Sequence, residues 1–334
     1  MSPDFGPATV DEYWDALLTP ARFPRGVHSV TERARKLLRR ALREPTTRQH
    51  RVVGAVYSAG RLVAASQRDP FPDVAPVDPD VLTEQSEEYD SLDGTWLYGG
   101  HWMGLFGHFL LETLSTLWLD PSRTQVAGLV FHLWPSDGYA MPPLVWQRRL
   151  VDRAGWEVPV HLVSQRAVRV EHLLLPTRAY RLHRGGLPEV RSVWDRIAPA
   201  QVPDTAVFLS RSRLTKDPRR TPYDARLDSA LASAGCLVVH PQELPIDEQI
   251  AVVSRAHTLI GASGSQLHLS MFAGSCQRVI ELGDLRLPTT PVFDQLGIAQ
   301  TRGQEHHFVP LITTDNGRDV GATIERILAI GLEG

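Results

Sequence analysis

Four small residues, Gly261, Ser263, Gly264 and Ser265, stand between the apolar run Thr258, Leu259, Ile260 and a second apolar run that ends at Phe272. The first amides of a helix lack intrahelical partners and carry partial positive charge, so an anion can sit where a helix begins. Glycines there allow close approach to the backbone, and serine hydroxyls either cap the helix or donate to a phosphate oxygen. Two readings of this turn stand side by side: a capped helix after a buried strand, and a phosphate cradle. The spacing is neither Gly-x-Gly-x-x-Gly nor a Walker loop. Ser265, two residues after Ser263, excludes a Gly-x-Ser-x-Gly nucleophile elbow.

Two further groups carry chemistry. Arg211, Arg213, Arg219 and Arg220 follow an apolar run within ten residues; planar guanidinium forks suit a diphosphate, and the alternative for Arg211 is a structural salt bridge. From Phe106 the spacing predicts a helix with Phe106, Phe109, Leu110, Thr113 and Leu117 on one face and His108, Glu112 and Ser115 opposite. An imidazole and a carboxylate one turn apart can take a proton from a hydroxyl. An exposed i, i+4 pair or a structural hydrogen bond is the alternative. His101 is close in sequence, but no His-Glu-x-x-His pattern completes a metal site.

The elements that must position these residues alternate between strand and helix. Around the small-residue turn the pattern predicts a strand at Thr258 to Ile260, a helix from Ser265 to Phe272 and a strand from Gln277 to Leu282. Upstream it predicts strands at Trp96 to Tyr98, Gly128 to Leu133, Val158 to Val163 and Val168 to Leu175. Helices are expected at Pro143 to Ala154 and Pro188 to Ile197. Downstream come strands at Ala206 to Ser210, Leu237 to His240 and Phe308 to Leu311, and helices near Ala225 to Ala234, at Ile246 to His257 and at Val320 to Ile330. This βα rhythm implies mainly parallel sheets. Val52 to Ser66 reads as a hairpin turning at Ser58 to Gly60, Arg68 to Asp93 as a surface loop, and Thr31 to Arg43 as a basic amphipathic helix. The two prolines of residues 198–204 mark an interdomain linker at 199–204. The expected organisation is an N-terminal α/β domain over 1–198, with a helical and hairpin extension, and a second α/β domain over 205–334. Both are expected to be doubly wound, with ligands bound beyond the strand C-termini.

Composition narrows the partners. The 334 residues are 43% hydrophobic and 22% charged, with a formal net charge of -3, as in an ordinary globular protein of about two domains. No global basic field invites nucleic acid. Two cysteines, Cys236 and Cys276, make neither a disulfide framework nor a structural zinc site. No signal-like start or run of ~18 apolar residues is present, so a cytoplasmic chain is expected. The basic stretch at residues 31–43 leaves a peripheral membrane contact open.

Three ordered blocks, GHFLLETLSTLW, FLSRSR followed by PRR, and IGASGSQLHLSMF with VIEL, together resemble glycosyltransferase family 61, the DUF563 group. That group includes capsular and exopolysaccharide glycosyltransferases of bacteria and protein O-GlcNAc and xylosyl transferases of eukaryotes. The resemblance implies a GT-B-like fold of two Rossmann-like domains facing a cleft. It implies an acceptor-side first domain, a second domain that binds the nucleotide sugar, inversion at the anomeric carbon, and no cofactor or obligatory metal. The acceptor would be a glycan or lipid-linked hydroxyl. On this likeness Ser210 and Arg211 match the family's Ser-Arg motif, with Arg211 facing the donor diphosphate; Arg219 or Arg220 matches the basic pair after it. Gly261 and Gly264 match its glycine turn, Glu281 its acidic strand end, and His108 or Glu112 would be the base. Ser263 stands where many members have His, and Ser265 where they have Ala; His268 resembles a Leu-His variant. The alternatives are a pyruvyl-transferase-like polysaccharide-modifying enzyme and a noncatalytic nucleotide- or sugar-binding protein.

Overall fold

The computed structural model describes residues 6–20, 51–67, 74–76, 89–134, 144–164, 166–214, 224–314 and 317–332. The expected helix at residues 31–43, Arg219, Arg220 and most of the expected loop at 68–93 lie outside the described residues. The chain divides into two compact units, one holding Val145–Gly155 and Ala179–Gly334, the other Pro7–Leu144 and Trp156–Arg178. Residues 199–204, where a linker is expected, lie within the first of these.

The second unit is built on a seven-stranded sheet. Its strands are β1 (Val10–Thr19), β2 (Ala55–Ser58), β3 (Arg61–Leu62), β4 (Tyr89–Trp102), β5 (Gly128–Leu133), β6 (Val160–Val163) and β7 (Ala167–Pro176), in the order β3-β2-β1-β7-β4-β5-β6. β4 runs parallel to β5 and β7, and β5 parallel to β6, whereas β1 is antiparallel to β7 and β2. The sheet is therefore mixed, not the mainly parallel, doubly wound one that the βα rhythm implies; the ten residues of β1, unrecognised in the sequence, supply the antiparallel side. β2 and β3 form the expected hairpin. β4 begins at Tyr89, so the strand foreseen at 96–98 is much longer and the loop foreseen up to Asp93 shorter. Gly99 lets β4 lie flat beneath Phe131, whose ring would be 1.9 Å from a Cβ placed there.

The first unit is built on a five-stranded sheet, all parallel: β8 (Thr205–Leu209), β9 (Leu237–Val239), β10 (Ala256–Ala262), β11 (Arg278–Leu282) and β12 (Glu305–Val309). Strands buried on both faces read as continuous apolar runs, as AVFL in β8 and TLIGA in β10 do. In one layer Phe208, Ile260 and Ile280 pack against Leu227, Leu231 and Ile327, from α4 (Asp224–Ser233) and α7 (Val320–Ile330). On the other face lie α3 (Val190–Ile197), α5 (Ile246–Val253) and α6 (Phe293–Arg302), grouped around the short helix Leu267–Phe272. α2 (Val145–Arg153), although earlier in the chain, belongs here: Arg153 Nε donates to the Ile197 carbonyl at 2.8 Å, and Arg149 and Arg153 both pair with Asp247.

The strand order is β9-β8-β10-β11-β12, which is 2-1-3-4-5 in chain order. It reverses between β8 and β10, and in such sheets the crevice beyond the carboxyl ends of that pair is where ligands bind. Two corrections fall near this point. The helix expected over Ile246 to His257 stops at Val253, and His257 belongs to β10, which runs on through Ala262. The helix expected from Ser265 is a six-residue 3₁₀ helix, Leu267–Phe272, with Leu267 N–H bonded to the Gly264 carbonyl. α6 was not foreseen at all.

Candidate active site

Backbone at the ends of β8 and β10 brings together residues some fifty positions apart in sequence. Arg211, 5% exposed, directs Nη2 to the carbonyls of Ser263 at 2.9 Å and Ala262 at 3.3 Å, and Nε to Gln266 Oε1 at 3.2 Å. Its Nη1 lies 3.7 Å from the buried Asp284 carboxylate, just beyond β11. A guanidinium suits this task because its several fixed N–H groups reach the two carbonyls from Nη2 and the Gln266 amide oxygen from Nε at once. In this structure Arg211 ties the ends of three strands together.

Ser210 and Ser212, on either side of Arg211, are held by one carboxylate. Ser210 Oγ donates to Asp228 Oδ1 and Ser212 Oγ to Asp228 Oδ2, both at 2.5 Å, and Ser212 N–H donates to Ser210 Oγ at 3.0 Å. Asp228 thus fixes the turn that aims Arg211. Neither Asp228 nor Asp284 stood out in the sequence. The only signal for Asp284 was its place directly after an apolar strand, in VIELGD.

The glycine turn follows β10. Gly264 has φ 119°, a conformation that L side chains rarely adopt, while a Cβ on Gly261 would stand 3.1 Å from Leu267 Cδ1. Ser263, fully buried, gives its N–H and hydroxyl to the Leu282 carbonyl, at 2.8 and 3.2 Å. Its hydroxyl here is a crosslink between β10 and β11. Ser265 is half-buried at the head of the turn. His268, on the 3₁₀ helix, is buried with Nδ1 3.1 Å from Gln295 Oε1. Glu281 is wholly buried and accepts from Val292 N–H at 2.9 Å, with His306 Nε2 at 3.0 Å. The structure therefore brings Ser210, Arg211, Gly261, Ser263 and Gly264 together, and places Glu281 and His268 in the interior behind them.

The other unit positions His108 and Glu112. α1 follows the carboxyl end of β4 in three stages: Phe106–His108 is α-helical, Phe109–Thr113 is a π-turn and Leu114–Thr116 closes as 3₁₀. Single π-turns inside helices occur often at functional sites. Two threonines staple α1 to β4, Thr113 Oγ1 donating to the His101 carbonyl at 2.7 Å and Thr116 Oγ1 to the Gly99 carbonyl at 2.9 Å. On the opposite face Ser115 is buried with its hydroxyl on the Glu112 carbonyl. His108 Nδ1 lies 2.6 Å from Glu112 Oε2, with side-chain exposures of 33% and 6%. The tautomer in which Nδ1–H donates to the carboxylate is the one that leaves the lone pair of a base on Nε2.

Beneath α1 the sheet holds two more histidines. His132 is fully buried, its Nδ1 2.8 Å from Tyr98 Oη, and its ring centroid 5.5 Å from that of His101. Burial lowers the His132 pKa to about 3 and raises that of Tyr98, so both are neutral near pH 7.

The profile described as Glycosyltransferase 61 matches residues 106–280, just over half of the chain. The chain belongs to glycosyltransferase family 61. The match opens on α1 with His108 and Glu112, spans the Ser210 to Ser212 turn and the glycine turn, and ends inside β11 one residue before Glu281. The family-61 region thus contains every candidate residue named above except Glu281 and Asp284. No curated protein matches the chain.

Proposed function

We propose that this family-61 chain is an inverting glycosyltransferase that moves a sugar from a nucleotide-sugar donor to a hydroxyl of a glycan or lipid-linked acceptor, in surface or extracellular polysaccharide synthesis in the cytoplasm. The observation that carries the donor site is the meeting of Ser210–Arg211 with the Ser263–Gly264 turn at the reversal of a parallel sheet, where nucleotide ligands dock in this topology. A GT-B-like pairing of the two units, with the five-stranded one as donor domain, is part of the proposal.

In the reaction, His108 Nε2 accepts the acceptor hydroxyl proton as that oxygen bonds to the anomeric carbon. The bond from the anomeric carbon to the donor phosphate oxygen breaks, and the nucleoside diphosphate leaves with the electron pair. Attack opposite the leaving group inverts the centre. Glu112 holds the productive tautomer and stabilises the imidazolium that forms. Arg211 acts as a positioning residue for the cradle, and the Arg219–Arg220 pair is assigned to the diphosphate on the family resemblance. Stabilisation of the leaving group by guanidinium and amide donors requires no metal, so transfer is expected to survive EDTA.

Thermal shift against a panel of nucleotide sugars, followed by donor hydrolysis with and without acceptor, tests the reading. A ligand bound only by the folded state adds about 2.7 kcal/mol at a hundredfold excess over its dissociation constant. Use of phosphoenolpyruvate without nucleotide-sugar binding would replace the proposal with pyruvyl transfer. Binding without turnover would reduce it to a noncatalytic receptor.

A further inference from the structure

On β1, three residues before its pairing with β2 begins at Leu17, Trp14 is 65% exposed. Its indole lies flat on His172, ring centroids 3.9 Å apart and planes within 7°. The histidine is itself fixed through both nitrogens, Nδ1 at 3.0 Å from Thr95 Oγ1 and Nε2 at 3.2 Å from Glu12 Oε2. One face of the indole is thus backed by a held ring and the other is open. Beside it the sheet is dented. Asp15, at φ 52°, interrupts the pairing of β1 with β7 between Trp14–His172 and Ala16–Val170. On the other side of β7 the register of β4 shifts between Leu92 and Thr95. Glu171 lies at both irregularities, and its carboxylate accepts Gly94 N–H at 2.6 Å.

The result is a concavity of about 340 Å³ bounded by Trp14, Asp15, Ser91, Asp93, Arg169 and Glu171, at the small end of the ~300–1,000 Å³ of small-molecule sites. Arg169 holds Asp15 through two bonds of 2.6 and 2.7 Å and lies over the Tyr89 ring. The rim therefore mixes acceptors and a donor around one flat apolar plate. A pyranose has a face of C–H groups and an edge of hydroxyls that both donate and accept. A cationic ligand would meet Arg169, and an apolar partner would bury the carboxylates without replacing their hydration. We propose that this concavity is a saccharide-binding subsite, with Trp14 as the stacking platform, and that it holds a sugar unit of the acceptor glycan. Its description as an acceptor subsite rests on the function proposed above; the saccharide site itself does not.

The test is titration of the full chain with maltotetraose, cellotetraose and chitotetraose, read by the indole N–H resonance of Trp14, identified by its absence in Trp14→Ala. Saturable shifts of that resonance with at least one sugar are expected. Trp14→Ala should weaken that binding about tenfold or more, with Trp14→Phe intermediate. An unchanged melting temperature in Trp14→Phe excludes a folding defect. If none of the three sugars moves the resonance, or if Trp14→Ala binds them as well as the native chain, the inference falls. Conversion of a dimer to a monomer by Trp14→Ala, without a saccharide effect, also overturns it and makes the indole a self-association contact. Nucleotide-sugar binding by the native chain, measured alongside, separates the two readings. Donor binding without saccharide binding removes only the subsite, and the converse removes only the transferase assignment.

Discussion

A bond of 2.6 Å places the Glu112 carboxylate on Nδ1 of His108, the contact behind the proposed role of this imidazole as base. His108→Asn removes the base and should lower transfer by roughly 10²- to 10⁴-fold with donor affinity nearly unchanged. Glu112→Gln keeps the shape but loses the charge that stabilises the imidazolium, so turnover should fall as well; a Glu112→Gln enzyme with native turnover would reduce the pair to a structural contact. His132 supplies a separate pH effect. Its folded pKa, about 3, lies below the unfolded value of 6.5, so between those values the unfolded chain binds the extra proton. Stability is undiminished above about pH 6.5 and falls by up to about 1.4 kcal/mol per pH unit as pH drops through that window. Denaturant titrations of the native chain and His132→Gln across pH 4 to 7 check it, and equal slopes would remove His132 as the cause. At this scale the His108–Glu112 pair was legible because helical spacing alone brings i and i+4 together. Asp228 and Asp284 were not, since Asp228 meets Ser210 and Ser212 only when α4 packs beside β8, and Asp284 meets Arg211 only when the ends of β8 and β11 converge.

The glycine turn shows what an element contributes beyond its residues. A six-residue 3₁₀ helix lacks the aligned dipoles of a long α-helix, so anion binding there must rely on the conformation that Gly264 permits. Gly264→Val forces a branched side chain to φ 119° and should abolish donor binding; circular dichroism and melting must match the native chain for that loss to count. Arg302, at the end of α6, donates Nε to the Met271 carbonyl at 2.6 Å and Nη1 to Asp195 at 2.5 Å while lying 5.0 Å over Trp194. Arg302→Ala should destabilise by about 2 to 4 kcal/mol in urea unfolding, because a buried carbonyl loses its donor and the Trp194 face its cover. β8, β10, β11 and α7 were readable as apolar runs or strong periodicity. α6 was hidden because FDQLGIAQTR carries few apolar residues and contains Gly297, kept small where a Cβ would meet Tyr180 Oη at 2.6 Å. β1 was hidden because VDEYWDALLT is half exposed and its alternation breaks at Asp15.

At the scale of the whole molecule the chain leaves one unit and returns. α2 buries Leu150 and Val151 in the unit whose five-stranded sheet begins at Thr205, and no local pattern in residues 145–153 announces that destination. Residues 179–334 alone should therefore be less stable than the same unit in the full chain, by roughly 3 to 6 kcal/mol for two buried aliphatic side chains. A synthetic peptide of residues 144–155 added in trans should raise the melting temperature of that fragment; no response would mean that α2 contributes little to the unit. The same excursion sets a timetable for synthesis. α2 emerges from the ribosome about a hundred residues ahead of β10 and the short helix of its own unit, an interval of some 5 to 20 seconds at ordinary elongation rates. Through most of that interval α3 is the one part of its native surroundings described above that α2 can meet, which makes residues 145–153 a stretch of the nascent chain that a chaperone would be expected to hold.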